Sequence, residues 1–167
     1  MRTKLVFIFS FIATISILSS CFKNEEYPNE PIISNPQVFF SGDSLKLTFD
    51  FTDGDGDIGL DPDELDSPFD ADSYFYYNLY IDYFEKDDED GWVRGLDFLG
   101  DSISFKYRIK PIIVKGKARG IKGTTEVYIN EFYNKLSDDS DTIKYQISFI
   151  DKALNISNII ETNEILP

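Results

Sequence analysis

The chain has 167 residues, of which 30 are acidic and 16 are basic, and its formal net charge at pH 7 is −14. This balance excludes nucleic acid as an expected partner, because phosphate binding needs clustered Lys and Arg. The chain has no histidine, which removes Ser-His-Asp and Cys-His catalysis and the usual zinc sites.

Residues 1–20 have the pattern of an export signal. Arg2 and Lys4 precede the apolar run 5–18, and small residues follow it. A permanent transmembrane helix is the alternative interpretation. At about 1.5 Å per residue such a run spans only about 21 Å, which is short of a roughly 30 Å hydrocarbon core. We therefore expect residues 1–20 to be a signal peptide.

The stretch "LSSC" at 18–21 resembles the bacterial lipoprotein signal, which is cut before a lipidated cysteine. Cys21 is the one cysteine of the chain, so it has no disulfide partner within it. A spare thiol is the alternative, but lipidation explains the position, and we predict that acyl chains on Cys21 anchor the protein to a membrane.

Residues 21–36 are predicted to be the lipidated cysteine and a flexible tether. In "FKNEEYPNEP" (22–31) a lysine is followed closely by acids. This resembles the surface-export signal of Bacteroidota lipoproteins, although an ordinary charged tether has the same composition. We expect an outer-membrane lipoprotein at the cell surface, with the periplasmic face as the alternative.

From residue 37 onward, short segments alternate apolar and polar side chains, as half-buried strands do. The strand candidates are 45–52, 74–84, 103–110, 141–150 and 158–162. Segment 124–136 starts like a strand and continues like a helical turn, whereas 86–91, 115–123 and 137–141 are rich in turn residues. Without βαβ spacing, the pattern predicts a single all-β domain over 37–167, an antiparallel β-sandwich of the immunoglobulin or fibronectin-III type.

The loop after the first clear strand concentrates carboxylates. Asp53, Asp55 and Asp57 alternate with Gly54 and Gly56, and glycine permits the tight curl that brings alternate side chains together. Three converging carboxylates repel one another unless a cation holds them. Calcium suits such a site because it takes about six to eight oxygen ligands in flexible geometry.

The loop also invites comparison with an EF-hand. If Asp53 is position 1, Asp61 and Glu64 fall at ligand positions 9 and 12. Position 6 is Ile58 instead of glycine, and a strand precedes the loop. We therefore predict a calcium loop on a β scaffold that is not an EF-hand, with a solvated acidic turn as the alternative.

An immunoglobulin-like strand order would place a second connection beside this loop. The turn 151–155 joins the last two strands, at the same end of the sandwich. Its oxygens are then additional candidate ligands, unless these residues serve only to form the turn. The predicted calcium ligands are Asp53, Asp55, Asp57, Asp61, Glu64, Asp151 and Asn155.

Three stretches together resemble a family of Bacteroidota lipoproteins. They are "LTFDFTDGDGDIGL", "NLYIDYFEKDDEDGW" and "DTIKYQISFIDKALNISNIIET", which lie across most of residues 21–167. Members are similar in having a signal peptide, an aspartate-glycine loop and a closing D-[RK]-A-L-N-x-S-N strand pair. The resemblance implies a location and an immunoglobulin-like fold, but no activity.

The sequence favours a non-enzymatic, calcium-stabilised outer-membrane lipoprotein that acts as a binding or accessory module. One alternative is an accessory subunit of an outer-membrane transport or secretion assembly. Another is glycan binding through exposed rings, for which the candidates are Tyr74, Tyr76, Tyr80 and Trp92. A carboxylate-dependent glycan hydrolase needs an acid in an apolar setting, and Asp82 within "LYIDYF" is the one candidate.

Overall fold

A computed structural model of the chain describes residues 26–41, 44–112, 120–129 and 140–166. The predicted signal peptide, Cys21 and the first residues of the tether lie outside this part of the chain. Within the described ranges, no helix is long and apolar enough to cross a membrane.

The described residues form an all-β fold, as predicted. Eight strands and one short 3-10 helix follow in order: β1 Ile32–Ser41, β2 Ser44–Asp53, the 3-10 helix Tyr74–Tyr76, β3 Leu79–Asp87, β4 Gly91–Arg94, β5 Ser104–Tyr107, β6 Ile121–Ile129, β7 Ile143–Phe149 and β8 Ile160–Glu161. One antiparallel sheet has the order β1-β2-β6, and the other has the order β4-β3-β7-β8 with β5 also paired to β3.

The two sheets pack face to face around a core of alternating side chains. Every second residue of β2 and of β7 is buried, so each strand gives one face to the core. Phe149 of β7 meets Phe49 and Phe51 of β2 edge to face, with ring centroids 6.4 Å and 6.5 Å apart. These contacts join the layers of the predicted sandwich.

The first strand begins earlier than the sequence predicted. β1 starts at Ile32, inside the segment 21–36 that was assigned to the tether. Pro36 suggested irregular chain, but β1 lies at a sheet edge and its register shifts between Ser34 and Gln37. An edge bulge accommodates proline because no ladder bond is required of it there. Ile33 is buried, so this part of the predicted tether belongs to the core.

Other boundaries also differ from the predictions. The predicted strand 74–84 is divided: Tyr74–Tyr76 form the 3-10 helix, and β3 begins at Leu79. Ser73 starts that helix because its Oγ accepts from the Phe75 N–H at 3.0 Å. Strand β4 was not predicted, and the start of β6 at Ile121 lies within a predicted turn.

The strand order brings two connections together. β3 pairs with β7 so that Leu79 lies opposite Phe149, and the Ile150 N–H donates to the Asn78 carbonyl at 2.9 Å. The β2–β3 loop and the turn after β7 are therefore neighbours at one end of the sandwich. This is the placement that the immunoglobulin-like order predicted.

Candidate metal centre

Asp53 is the last residue of β2 and follows that strand's alternation. Its side chain takes the inward orientation of Leu47, Phe49 and Phe51, and the residue is completely buried. A carboxylate thus occupies a core position at the end of a strand. Burial of an ionised carboxylate is costly unless it is paired or hydrogen-bonded.

The loop after Asp53 curls back over its side chain. Asp53 Oδ2 accepts from the Asp57 N–H at 3.0 Å, and Gly56 adopts the left-handed φ of 75° that glycine permits. Gly54 serves a different purpose. A Cβ added there would collide with the carbonyl oxygens of Tyr27 and Pro28, so glycine allows the N-terminal segment to lie directly on the loop.

The turn after β7 supplies the fourth carboxylate. Asp151 Oδ1 accepts from the Asn155 N–H at 2.7 Å, and Asp151 Oδ2 accepts from Asn155 Nδ2 at 2.8 Å. The Lys152 N–H donates to the Asp57 carbonyl at 3.3 Å, which connects this turn to the acidic loop. Asp151 is buried, and the two bonds from Asn155 fix the position of its carboxylate.

Four carboxylates therefore converge. Asp53, Asp55, Asp57 and Asp151 each offer an oxygen, and these oxygens lie within 4.8 Å of one another. Calcium binds oxygens at about 2.4 Å, so two ligands on opposite sides of the ion are about 4.8 Å apart. The four oxygens are therefore close enough together to bind one ion.

Two oxygens of this group lack a protein partner. Asp53 Oδ1 and Asp57 Oδ1 are buried and receive no hydrogen bond from any described residue. Buried polar atoms in native proteins are nearly always satisfied. An ion among the four carboxylates would satisfy both oxygens at once.

The pKa values of three aspartates in this group are raised. Burial, together with repulsion from Asp55 and Asp57, raises the pKa of Asp53 from 3.8 to about 6. Burial and repulsion from Asp151 and Asp55 likewise raise the pKa of Asp57 to about 6. The pKa of Asp151 is raised mainly by burial. These shifts express the cost of burying carboxylates that also repel one another.

Two predicted ligands lie outside the group. Arg108 Nη2 donates to the carbonyl oxygens of Asp61 and Glu64, at 3.0 Å and 2.6 Å. Glu64 Oε1 pairs with Lys152 Nζ at 2.9 Å, and the Asp61 side chain is exposed. Because the chain turns inward at the buried Ile58, positions 9 and 12 of the EF-hand comparison do not return to the first three aspartates.

Asn155 holds Asp151 in place. Both its backbone N–H and its Nδ2 donate to Asp151, so it positions a ligand candidate. Arg108 also positions the loop, since its Nη1 donates to the Tyr76 carbonyl at 2.6 Å. The sequence offered no signal for Arg108, which appeared as one of several polar residues on an alternating strand.

The four predicted ligand-facing aromatics do not share one surface. Tyr80 is 8% exposed; its ring stacks on Tyr74 with centroids 4.9 Å apart, and its hydroxyl donates to the Tyr74 carbonyl. The Tyr76 ring lies under the Arg108 guanidinium at 5.0 Å. The Trp92 ring lies at the far end of β3, with Lys144 Nζ 4.6 Å from its centroid. Tyr74 and Tyr76 lie on the 3-10 helix instead of the predicted strand 74–84, so they do not share a strand face with Tyr80.

Comparisons with known proteins add little to this description. No family model and no curated protein matches the chain. Among solved structures, it is similar to the crystal structure of wild-type OgpA from Akkermansia muciniphila, with a TM-score of 0.43 and 10% sequence identity. The match covers 90% of this chain and 34% of that one, so the chain spans about a third of OgpA's length.

Proposed function

We propose that this protein is a lipid-anchored, non-enzymatic binding module whose β-sandwich is stabilised by a calcium ion held by Asp53, Asp55, Asp57 and Asp151. The observation that carries the calcium site is the pair of buried, unpartnered oxygens, Asp53 Oδ1 and Asp57 Oδ1, within the group of four carboxylates. The anchor rests on the sequence pattern that ends at Cys21.

The choice of calcium follows from the ligands. All four are carboxylates, and two of them come from one loop whose glycines let it adapt to the ion. Calcium accepts irregular shells of oxygens, whereas magnesium requires near-ideal octahedral geometry and retains several waters. Extracellular calcium modules bind with dissociation constants of about 0.1–1 mM, which suits a protein displayed outside the cell.

The ion would tie together three parts of the chain. Asp53 ends β2, Asp57 lies within the β2–β3 loop, and Asp151 follows β7. The segment around Tyr27 packs on Gly54, so the first described residues of the predicted tether lie at the same end. Calcium would then fix the end of the sandwich that faces the membrane, and the opposite end and the sides remain accessible to partners.

The remaining acids give little support to a hydrolase. Asp82, the one acid that the sequence placed in an apolar setting, pairs with Arg94 Nη2 at 3.0 Å. A general acid of a glycosidase needs an apolar pocket, whereas the Asp82 carboxylate is ion-paired and partly exposed. We therefore propose a binding or accessory role at the outer membrane.

Melting temperature in calcium and in chelator tests the ion. At free calcium 100 times the dissociation constant, binding adds about 2.7 kcal/mol to the free energy of unfolding. For a domain of this size the melting temperature then rises by roughly 5–10 °C. Asp63→Asn serves as a control variant and should show the same rise, because Asp63 is an exposed acid of the same loop outside the group. Because the expected dissociation constant is about 0.1–1 mM, that concentration of free calcium is about 10–100 mM, and an unchanged melting temperature there contradicts the site.

Membrane fractionation tests the anchor separately. We expect the wild-type chain in the detergent-soluble membrane fraction with a labelled fatty acid attached, because each buried methylene contributes about 0.8 kcal/mol to membrane binding. Cys21→Ser should carry no label, whereas Ser19→Ala keeps small residues before Cys21 and should be labelled like the wild type. A wild-type chain without label would refute lipidation while leaving the calcium site untouched.

A further inference from the structure

The edge of the five-stranded sheet carries a projecting loop. β4 and β5 both pair with β3, β4 with its last residues and β5 with its first. Between them the chain leaves the edge at Gly95, whose N–H donates to the Tyr83 carbonyl, and returns at Ile103, whose N–H donates to the Gly95 carbonyl. Residues 96–102 extend beyond the sheet, and we call Leu96, Phe98 and Leu99 the apolar tip.

The apolar tip is held in a defined shape. Asp97 Oδ1 accepts from the N–H groups of Leu99 and Asp101, at 2.8 Å and 2.9 Å. The backbone N–H of Asp97 donates to the Asp101 carbonyl at 2.8 Å, and the Gly100 N–H donates to the Asp97 carbonyl at 3.0 Å. Gly100 supplies the positive φ of 85° that closes the turn. These bonds fix the loop in advance, which lowers the ordering cost of binding.

Two side chains of the apolar tip, Phe98 and Leu99, are almost fully exposed. Phe98 is 98% exposed and Leu99 86% exposed, and half of Leu96 is exposed as well. Single exposed apolar residues are ordinary on protein surfaces, but contiguous ones on a projection mark interaction sites. A rigid aromatic and an aliphatic side chain presented together are typical of the anchors that fill a pocket on a partner.

We propose that the apolar tip docks into an apolar socket rimmed by Lys or Arg on a partner protein. The negative charge around the apolar tip favours a partner surface with basic residues. Asp97 and Asp101 flank it, and residues 95–104 contain no basic side chain. A basic rim would complement these carboxylates and steer the encounter.

The same charges disfavour two other occupants. A second copy of this chain also has a net charge of −14, which opposes association. Its groove of about 450 Å³ is lined by Phe39 and Glu164, and the nearby Lys46 and Lys86 are already paired with Glu126 and Glu164. Insertion into an anionic lipid surface would bring both aspartates against like charge. Among the described residues, neither surface offers Lys or Arg side chains that are free of an acidic partner.

Photo-crosslinking in the native membranes tests the proposal. A photoreactive phenylalanine analogue replaces Leu99 in the full chain, and a matched control carries it at Ile159, which is 63% exposed elsewhere on the sandwich. We expect a protein adduct from position 99 that is at least tenfold more abundant than from position 159. Mass spectrometry should locate the partner's crosslinked peptide among apolar residues next to Lys or Arg.

Two substitutions in the crosslinking chain complete the test. Phe98→Ser should reduce the adduct at least tenfold, and Asp101→Lys should reduce it severalfold and abolish its salt dependence. Neither should change the melting temperature, because both side chains are exposed. An adduct only with lipid, only with another copy of this chain, or equal at both positions would overturn the proposal, as would no adduct. None of these outcomes depends on calcium binding.

Discussion

Two acid-rich turns lie near opposite ends of β3 and differ in what happens to their carboxylates. In the turn 87–90, Asp87 Oδ1 accepts from the N–H groups of Glu89 and Asp90, at 2.8 Å and 2.7 Å. These bonds lower the pKa of Asp87, so N–H groups of the turn itself stabilise the charged carboxylate. In the β2–β3 loop, burial raises the pKa of Asp53 to about 6 and leaves one of its oxygens without a partner.

The difference shows that carboxylate density alone does not create a cation site. The turn 87–90 belongs to a hairpin at the sheet edge and is open to water, which solvates each charge. The β2–β3 loop begins with an inward core position and meets Asp151 from a second connection. Burial and convergence, and not the number of acids, separate the two.

The largest difference in stability is expected between alanine substitutions at two glycines, Gly54 in the β2–β3 loop and Gly91 directly after the turn 87–90. In Gly54→Ala, the added Cβ collides with backbone atoms of Tyr27 and Pro28, and we expect a loss of about 3 kcal/mol in the free energy of unfolding. In Gly91→Ala, the Cβ meets open space, and the positive φ of 76° alone costs about 1–2 kcal/mol. Urea unfolding measures both. Equal losses would show that the N-terminal segment does not pack on the loop.

Paired amide substitutions address calcium directly. Asp53→Asn with Asp57→Asn removes two charges but keeps an oxygen that can accept from the residue 57 N–H. We expect the calcium-induced rise of roughly 5–10 °C to disappear, while the melting temperature in chelator stays the same or increases. Asp88→Asn with Asp90→Asn removes the same charge from the turn 87–90 and should leave the rise intact. If both pairs lose it equally, general charge screening explains the effect.

The pH dependence in chelator should reverse the usual trend. Asp53 and Asp57 have pKa values of about 6 when folded, against an ordinary 3.8. The folded state therefore binds more protons between these values, and their contribution to stability is lost as pH rises through 6. The pKa of Asp87 is lowered, so its contribution to the stability of the fold is lost only as pH falls below about 4.

Melting curves at pH 5 and pH 7 measure this effect, and the absence of histidine keeps that window free of other ordinary titrations. We expect a higher melting temperature at pH 5 in chelator. Calcium should remove the difference, because it favours the charged carboxylates that protons compete for. A higher melting temperature at pH 7 in chelator would be evidence against buried, mutually repelling aspartates.

The smallest effects are expected from the lysines beside the two segments. Lys152→Ala breaks the pair with Glu64, and Lys86→Ala breaks the pair with Glu164 at 3.1 Å. Both pairs are partly exposed, so each loss should be about 0–1 kcal/mol in urea unfolding. A larger loss for Lys152→Ala would mean that this ion pair, in addition to the carboxylates, joins the acidic loop to the turn after β7.

Much of the fold could be predicted because alternation reports burial directly. β2 and β7 were predicted nearly to their ends, since every second side chain enters the core. β1 was partly missed because its bulge interrupts the alternation and Pro36 suggests a loop. The split of 74–84 was missed for a similar reason: the capping bond from Ser73 is a local preference that a row of aromatics conceals.

The candidate site could be predicted only in part. The alternating aspartates were visible in the sequence, and the strand order brought Asp151 to them. Glu64 and Asp61 lie outside the group, since Arg108 binds their backbone carbonyls and Glu64 pairs with Lys152. Which residues join a set of ligands depends on the path of the loop after the first ligands. Contacts with residues far away in the chain determine that path.

By itself, the sequence determined the all-β class, the strands with unbroken alternation and the crowding of carboxylates after β2, because each of these is a local pattern of side-chain polarity. The tertiary structure decided which carboxylates meet, which oxygens are buried without partners and which apolar side chains stay outside the core. Those properties arise from contacts between residues far apart in the chain, such as Asp53 and Asp151, and no local pattern encodes them.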